Sequence, residues 1–261
     1  MKIEIIEPHG FCAGVTAALK KALALDGPVY CLHELVHNEI VVADLKARGF
    51  VFVEKASEVP PGATLLFSAH GVAPSVRTEA EMRNLKIVDA TCPFVARVHH
   101  AARAFAEQGL PVVVIGNPAH AEVRGIVGEV PHAYVYPELP AADRIGVVSQ
   151  TTMNADEVAR QVAELRKTCD VETMAEVCNA TKERQEAVRN FAGDALLVLG
   201  SANSSNTRRL CEVASCRTMR AGTLDEVKGL DFSGVDTLGV PSGASTPETF
   251  FNAAVAFLRN R

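Results

Sequence analysis

The chain has 261 residues, 48% of them hydrophobic, with no Trp and three Tyr. Lys and Arg number 26 against 31 Asp and Glu, a net charge of −5, and there is no long basic run. That balance argues against nucleic-acid binding through phosphate contacts, and no stretch approaches the ~18 apolar residues of a membrane span. Seven cysteines without a C-x-x-C pair, behind an N-terminus with no signal-peptide core, point to a reducing compartment and an expected cytoplasmic location.

In chain order, short apolar runs alternate with helical patterns. The predicted strands are 3–6, 29–32, 65–68, 112–116, 145–149, 196–200 and 238–240. The predicted helices are 13–25, 38–48, 93–107, 155–167, 181–192, 206–215 and 246–259. This alternation argues for an α/β class with mostly parallel sheets. Strands covered on both faces read as continuous apolar runs, as VVVIG and ALLVLG do here.

Three cysteines punctuate the pattern at near-equal intervals. Cys12, Cys92 and Cys178 each follow a short β-type run (KIEIIEPHGFC, LKIVDATC, VETMAEVC) and precede a helical segment. This predicts three similar small α/β units arranged around a pseudo-threefold axis: residues 13–92, 93–177 and 178–261. The strand within residues 1–12 then has no preceding unit, and it is expected to complete the sheet of the third.

A strand end followed by a helix start is a natural ligand position, and the helix N-terminus favours a thiolate. Three such turns meeting at the centre would hold an iron–sulfur cluster. With three ligands, a four-iron cluster keeps one iron open for substrate. Gly10 and Gly14 near Cys12 let backbone approach a bulky inorganic group, and Pro93 suits the first helical position after Cys92. Ordinary buried cysteines or a zinc site are the plainer alternatives, although structural zinc favours the C-x-x-C pairs that are absent here. Cys31, Cys169, Cys211 and Cys216 lack this setting and read as packing residues.

Polar clusters also fall at strand ends. They supply His37, His70, His120, Ser204, Ser205, Asn206 and Ser245, a set suited to one or two phosphates. For the Ser and Asn residues, N-capping alone is the simpler account. Glu122, two residues after His120, is a candidate proton source, and Thr151 a candidate to pass that proton or hold a substrate hydroxyl. Taken alone, Glu122 reads more simply as a solvated acid in a first helical turn.

The segments GFCAGV (10–15), HELVHN (33–38), FSAHGV (67–72), DATCP (89–93), HAEVRG (120–125), QTT (150–152), CNATKERQEAV (178–188) and GSANSSNTRRL (200–210) occur in this order, with GAS-P at 243–247. Together they resemble the 4-hydroxy-3-methylbut-2-enyl diphosphate reductases, the LytB or IspH family, over nearly the whole chain. The resemblance implies a two-electron reductive dehydroxylation of the allylic diphosphate to isopentenyl and dimethylallyl diphosphates, the last step of the methylerythritol phosphate pathway. It implies one 4Fe–4S cluster on Cys12, Cys92 and Cys178 with one open iron. It implies a diphosphate shell of His37, His70, His120, Ser204, Ser205, Asn206 and Ser245, with Glu122 and Thr151 delivering protons. It implies ferredoxin or flavodoxin as electron donor, and no G-x-G-x-x-G dinucleotide fingerprint is present in the sequence. The chain departs from the family pattern at Asn117, where a His is frequent, and at Asn179, where an aromatic is common. The alternatives are a three-cysteine cluster enzyme of quinolinate-synthase type, and a non-enzymatic iron–sulfur sensor. Neither needs both the Ser-Ser-Asn turn and the H-x-E pair.

Overall fold

The structure is a computed structural model and describes residues 1–175 and 177–261. In chain order the elements are β1 (Lys2–Ile5), α1 (Ala13–Leu23), β2 (Val29–Leu32), α2 (Glu39–Ala47), β3 (Val51–Val53), β4 (Thr64–Phe67), α3 (Pro74–Met82), β5 (Lys86–Asp89) and α4 (Pro93–Glu107). There follow β6 (Val112–Ile115), α5 (Ala121–Val127), β7 (Ala133–Val135), β8 (Arg144–Ser149), α6 (Ala155–Leu165), β9 (Asp170–Ala175) and α7 (Asn179–Arg189). The last are β10 (Ala195–Leu199), α8 (Ser205–Val213), β11 (Arg217–Ala221), α9 (Leu224–Gly229), β12 (Thr237–Val240) and α10 (Glu248–Arg259).

The strands form three four-stranded parallel sheets, as the alternation in the sequence predicts. Their orders are β3-β2-β4-β5, β7-β6-β8-β9 and β11-β10-β12-β1. All three share one topology: the second strand of the set lies outermost, then the first, the third and the fourth. In the last sheet the fourth place is taken by β1, which pairs in parallel with β12 from Lys2↔Thr237 to Ile5↔Val240.

The chain divides into two compact units. One comprises residues 1–15, 36–44 and 179–261 and contains the β11-β10-β12-β1 sheet. The other comprises residues 16–35 and 45–178 and contains the other two sheets.

The inner strands carry the core. All four residues of β6 and all five of β10 are buried, because helices cover both faces of each sheet. In the first unit, β10 and β12 pack with α10 through Phe250, Phe251, Ala254 and Leu258. In the second, α4 lays Val98, Ala102 and Phe105 against β6 and β8. Each large side chain buried in this way, Val, Leu or Phe, contributes on the order of 1.5–3 kcal/mol.

The strands that sequence periodicity did not reveal are β3 (VFV), β7 (AYV) and β11 (RTMRA). Each is the outer edge of its sheet and only partly buried. Helices α3 and α9 were also not predicted, and α5 was anticipated only as the helical turn read at Glu122. The predicted helix over 206–215 is shorter than expected, because Ala214 turns extended at φ −71°, ψ 141°. That over 246–259 begins only at Glu248, after the extended Pro247.

Candidate functional site

The fourth strand of each sheet leads toward one of the three cysteines. β5 precedes Cys92, β9 precedes Cys178 and β1 precedes Cys12. Each cysteine is fixed by a backbone bond from its own N–H to the loop beyond the third strand of the same sheet. Cys92 donates to Ala69 O at 3.0 Å, Cys178 to Thr151 O at 3.0 Å and Cys12 to Ala244 O at 3.0 Å. Each bond prolongs a parallel ladder past the end of its strands and delivers the cysteine to a helix start. Cys92 is the N-cap of α4, with Pro93 at the first helical position. Cys178 directly precedes α7, and Cys12 directly precedes α1.

The thiol chemistry fits a metal-bound thiolate. All three thiols are partly exposed and free of disulfides. The Val15 N–H in the first turn of α1 points at Cys12 Sγ from 3.5 Å, as a helix start favouring negative sulfur would. Cys31 in β2 is the contrast: it is fully buried, and burial pushes its thiol up to about 12. Cys169, Cys211 and Cys216 pack against apolar clusters, in keeping with a packing role.

The second unit also positions His70, His120, Glu122 and Thr151. His120 is the N-cap of α5, and its Nδ1 accepts from the Glu122 N–H at 3.2 Å. The His70 ring stands edge-on to the His120 ring, with centroids 5.4 Å apart, and the Ser68 hydroxyl lies 3.2 Å from His70 Nδ1. Glu122 does sit in a first helical turn, but it is 1% exposed and not solvated. Its Oε1 accepts from the Thr151 N–H at 2.6 Å, and its Oε2 lies 3.2 Å from Thr151 Oγ1. Burial pushes the carboxyl up to about 7, and the two bonds from Thr151 hold it from rising further. The group is a buried acid that is half protonated near neutral pH, with one hydroxyl within reach.

The first unit holds His37, Ser204, Ser205, Asn206 and Ser245. Ser204 caps α8 by accepting from the Thr207 N–H at 3.3 Å, so the capping account of this residue is correct as far as it goes. Ser204, Ser205, Asn206 and Ser245 are all buried. Ser245 lies in the loop before α10 and donates its hydroxyl to the His37 carbonyl at 3.1 Å. Asn206 donates to Thr181 Oγ1 at 3.2 Å and accepts from the Ala244 N–H at 3.0 Å. Ala244 in turn accepts from Cys12. A chain of hydrogen bonds therefore joins the Ser-Ser-Asn turn to a cysteine of the same unit.

Several residues at this site were not singled out from the sequence. Arg184 is buried on α7 and donates to the Gly10 carbonyl at 3.0 Å, two residues before Cys12. The buried Ser242 hydroxyl accepts from the Gly10 N–H at 2.8 Å. In the second unit, Gln150 holds the Asn117 N–H at 3.1 Å. One signal was available for α7. Thr181, Arg184, Gln185 and Val188 recur at i, i+3, i+4 and i+7 and are all buried, a core-facing stripe that is mostly polar.

A family profile described as "LytB protein" matches residues 3–259. The chain is 43% identical to a 4-hydroxy-3-methylbut-2-enyl diphosphate reductase of Acidothermus cellulolyticus, over 100% of this chain and 83% of that one. It is 40% identical to the Haemophilus influenzae protein of the same name, over 99% of this chain and 90% of the other. Among solved structures, the Plasmodium falciparum E-1-hydroxy-2-methyl-but-2-enyl-4-diphosphate reductase superposes with a TM-score of 0.92 at 31% identity, over 99% of this chain and 88% of that one. Another, titled as the terminal enzyme of the non-mevalonate pathway, gives 0.71 at 32% identity over the full length of both. With the cysteine junctions, the H-x-E pair and the Ser-Ser-Asn turn all present in one parallel α/β frame, the chain belongs to the LytB protein family.

Proposed function

We propose that this chain is an iron–sulfur reductase that converts 4-hydroxy-3-methylbut-2-enyl diphosphate to isopentenyl and dimethylallyl diphosphates by two-electron reductive dehydroxylation, the last step of the methylerythritol phosphate pathway. Its relatives carry the reductase name across more than four fifths of their length. They support this reading over the quinolinate-synthase-type enzyme and the sensor. The observation that carries it is the triple recurrence of one local design: a fourth strand, a ladder-extending backbone bond and a cysteine at a helix start.

Cys12, Cys92 and Cys178 are the residues to hold the cluster, each following the fourth strand of one of the three sheets. When bound, a 4Fe–4S cluster on three cysteines supplies electrons and one open, Lewis-acidic iron for the substrate hydroxyl. The chain's own residues do the rest. His37, His70, His120, Ser204, Ser205, Asn206 and Ser245 hold the diphosphate and so fix the allylic chain. Neutral Glu122 carries a proton on Oε2 and hands it to Thr151 Oγ1, which releases its own proton toward the leaving oxygen. The buried setting keeps that proton available near pH 7.

Electrons come from ferredoxin or flavodoxin, one at a time. No helix among the described residues is long and apolar enough to cross a membrane. We place the enzyme in the cytoplasm, where its cysteines stay reduced.

The test is anaerobic reconstitution followed by assay with the allylic diphosphate and reduced methyl viologen. Product is expected from protein showing the 4Fe–4S visible absorption. Absence of product from such protein rejects the reading. Cys92→Ser is expected to lose that absorption.

A further inference from the structure

Helix α4 carries a buried histidine–carboxylate contact to which the proposed reaction assigns no role. His99 Nδ1 lies 2.7 Å from Glu129 Oε1, and Arg103 donates to Glu129 Oε2 at 2.9 Å. The side chains of His99 and Glu129 are 7% and 5% exposed. A carboxylate only accepts, so Nδ1 is the donor and the ring is fixed in orientation. The other nitrogen, Nε2, is buried without a hydrogen-bond partner. The orphaned Nε2 is a cost that packing does not offset; what His offers over an apolar ring is the Nδ1 bond that fixes its orientation on Glu129.

The ring edge that carries Nε2 presses on backbone. A Cβ at Gly71 would stand 2.9 Å from Nε2, and one at Gly125 would stand 3.0 Å from Cε1 and 3.6 Å from the Gly71 carbonyl carbon. His99, Gly71 and Gly125 thus form one three-way contact that tolerates no added methyl. Gly71 follows His70 directly. Gly125 lies in α5, three residues beyond Glu122, in the helix that His120 caps. The two segments that bring His70 and His120 edge to face therefore rest on the same imidazole.

We infer that His99, clamped by Glu129 and Arg103, is a positioning residue that sets His70 against His120 and Glu122 for the diphosphate substrate. This inference rests on the function proposed above. Small errors of placement at such a site are costly, because binding and turnover both depend on the fixed geometry.

The test uses the reconstituted holoenzyme. His99→Phe removes the clamp and sets a larger, unanchored ring against Gly71 and Gly125. It is expected to raise KM for the allylic diphosphate by about tenfold and to weaken inhibition by inorganic diphosphate in proportion, with cluster absorption retained and a lowered thermal midpoint, since Glu129 loses a buried donor. Unchanged KM and inhibition would overturn the inference. Glu129→Ala touches neither glycine and is expected to act in the same direction. It decides the matter if His99→Phe does not fold, and failure of both to fold overturns the inference by making the pair purely structural. A double-mutant cycle adds a readout that lost stability would not produce. Gly125→Ala is expected to impair the enzyme beside the clamped ring and to be tolerated in a His99→Ala background; additive effects count against the inference. His70→Ala and Glu122→Gln serve as controls on the underlying reading. If both retain full activity, the proposed function fails; if both lose it while His99→Phe does not, only the present inference fails.

Discussion

In the first unit the buried polar groups around Cys12 are hydroxyls and amides (Ser204, Ser205, Asn206, Ser245 and the supporting Thr181 and Ser242) together with the permanently charged Arg184. In the second, the groups near Cys178 include a carboxyl that titrates near neutrality, with two histidines beside it. Both settings are buried, yet burial acts differently on them. A hydroxyl or amide in a hydrogen-bonded site keeps the same character at every working pH. A carboxyl taken out of water holds on to its proton. The first set is suited to constant recognition of an anion and the second to storing a proton.

The largest expected effect that sharpens this contrast is at Glu122. Glu122→Gln keeps the shape and both acceptor sites' surroundings but cannot give up a proton. Turnover is expected to fall by roughly 10²-fold or more, with KM near wild type and cluster absorption intact. A raised KM with normal turnover would make Glu122 a binding residue and erase the contrast.

Next comes a pH effect on stability. Glu122 has a folded value of about 7 against its ordinary 4.5, so the folded protein holds a proton that the unfolded chain releases. Stability from this group is complete below pH 4.5, falls as pH rises from 4.5 toward 7, and is flat beyond. The total is on the order of 3 kcal/mol. Denaturant titrations across that window should show the slope in the wild type and lose it in Glu122→Gln.

The matching change in the first unit is Asn206→Ala. It removes the bonds to Thr181 and Ala244, leaves buried partners unsatisfied, and is expected to cost about 1–3 kcal/mol of stability. KM should rise while the pH–rate profile keeps its wild-type midpoint. A displaced midpoint would mean that the two settings are not separate. The smallest pH shift is expected from Thr151→Val, although its lost proton relay should also lower turnover by roughly 10²-fold, as Glu122→Gln does. The backbone bond to Glu122 survives, the hydroxyl bond is lost, and the alkaline limb of the pH–rate profile, where the rate falls as Glu122 gives up its proton, should move upward by a fraction of a unit.

What the sequence reveals follows the depth of burial. The inner strands VVVI and ALLVL are unbroken apolar runs because both faces are covered, and they can be read directly. The outer strands VFV, AYV and RTMRA are short and partly exposed; backbone pairing with a neighbour makes them strands, and no residue pattern encodes that neighbour. The cysteine junctions are legible because strand, ligand and helix are contiguous. Glu122 is different. Its local sequence is that of an ordinary first-turn acid, and what changes its chemistry is Thr151, 29 residues away. Arg184 and Thr181 lie between these cases, since their helical spacing exposes an anomaly but not its partner.

The pairing of Lys2–Ile5 with Thr237–Val240 also bears on the order in which the molecule forms. The other two sheets draw all their strands from continuous stretches, 29–89 and 112–175, and can close as soon as those stretches leave the ribosome. The remaining sheet pairs β1 with β12 and cannot seat β1 until β12 has been made. Closing so long a loop is entropically slow, so this edge is the last to lock. Until it does, Cys12 lacks the backbone bond that fixes it, and a nascent chain has only two of its three cysteines in place.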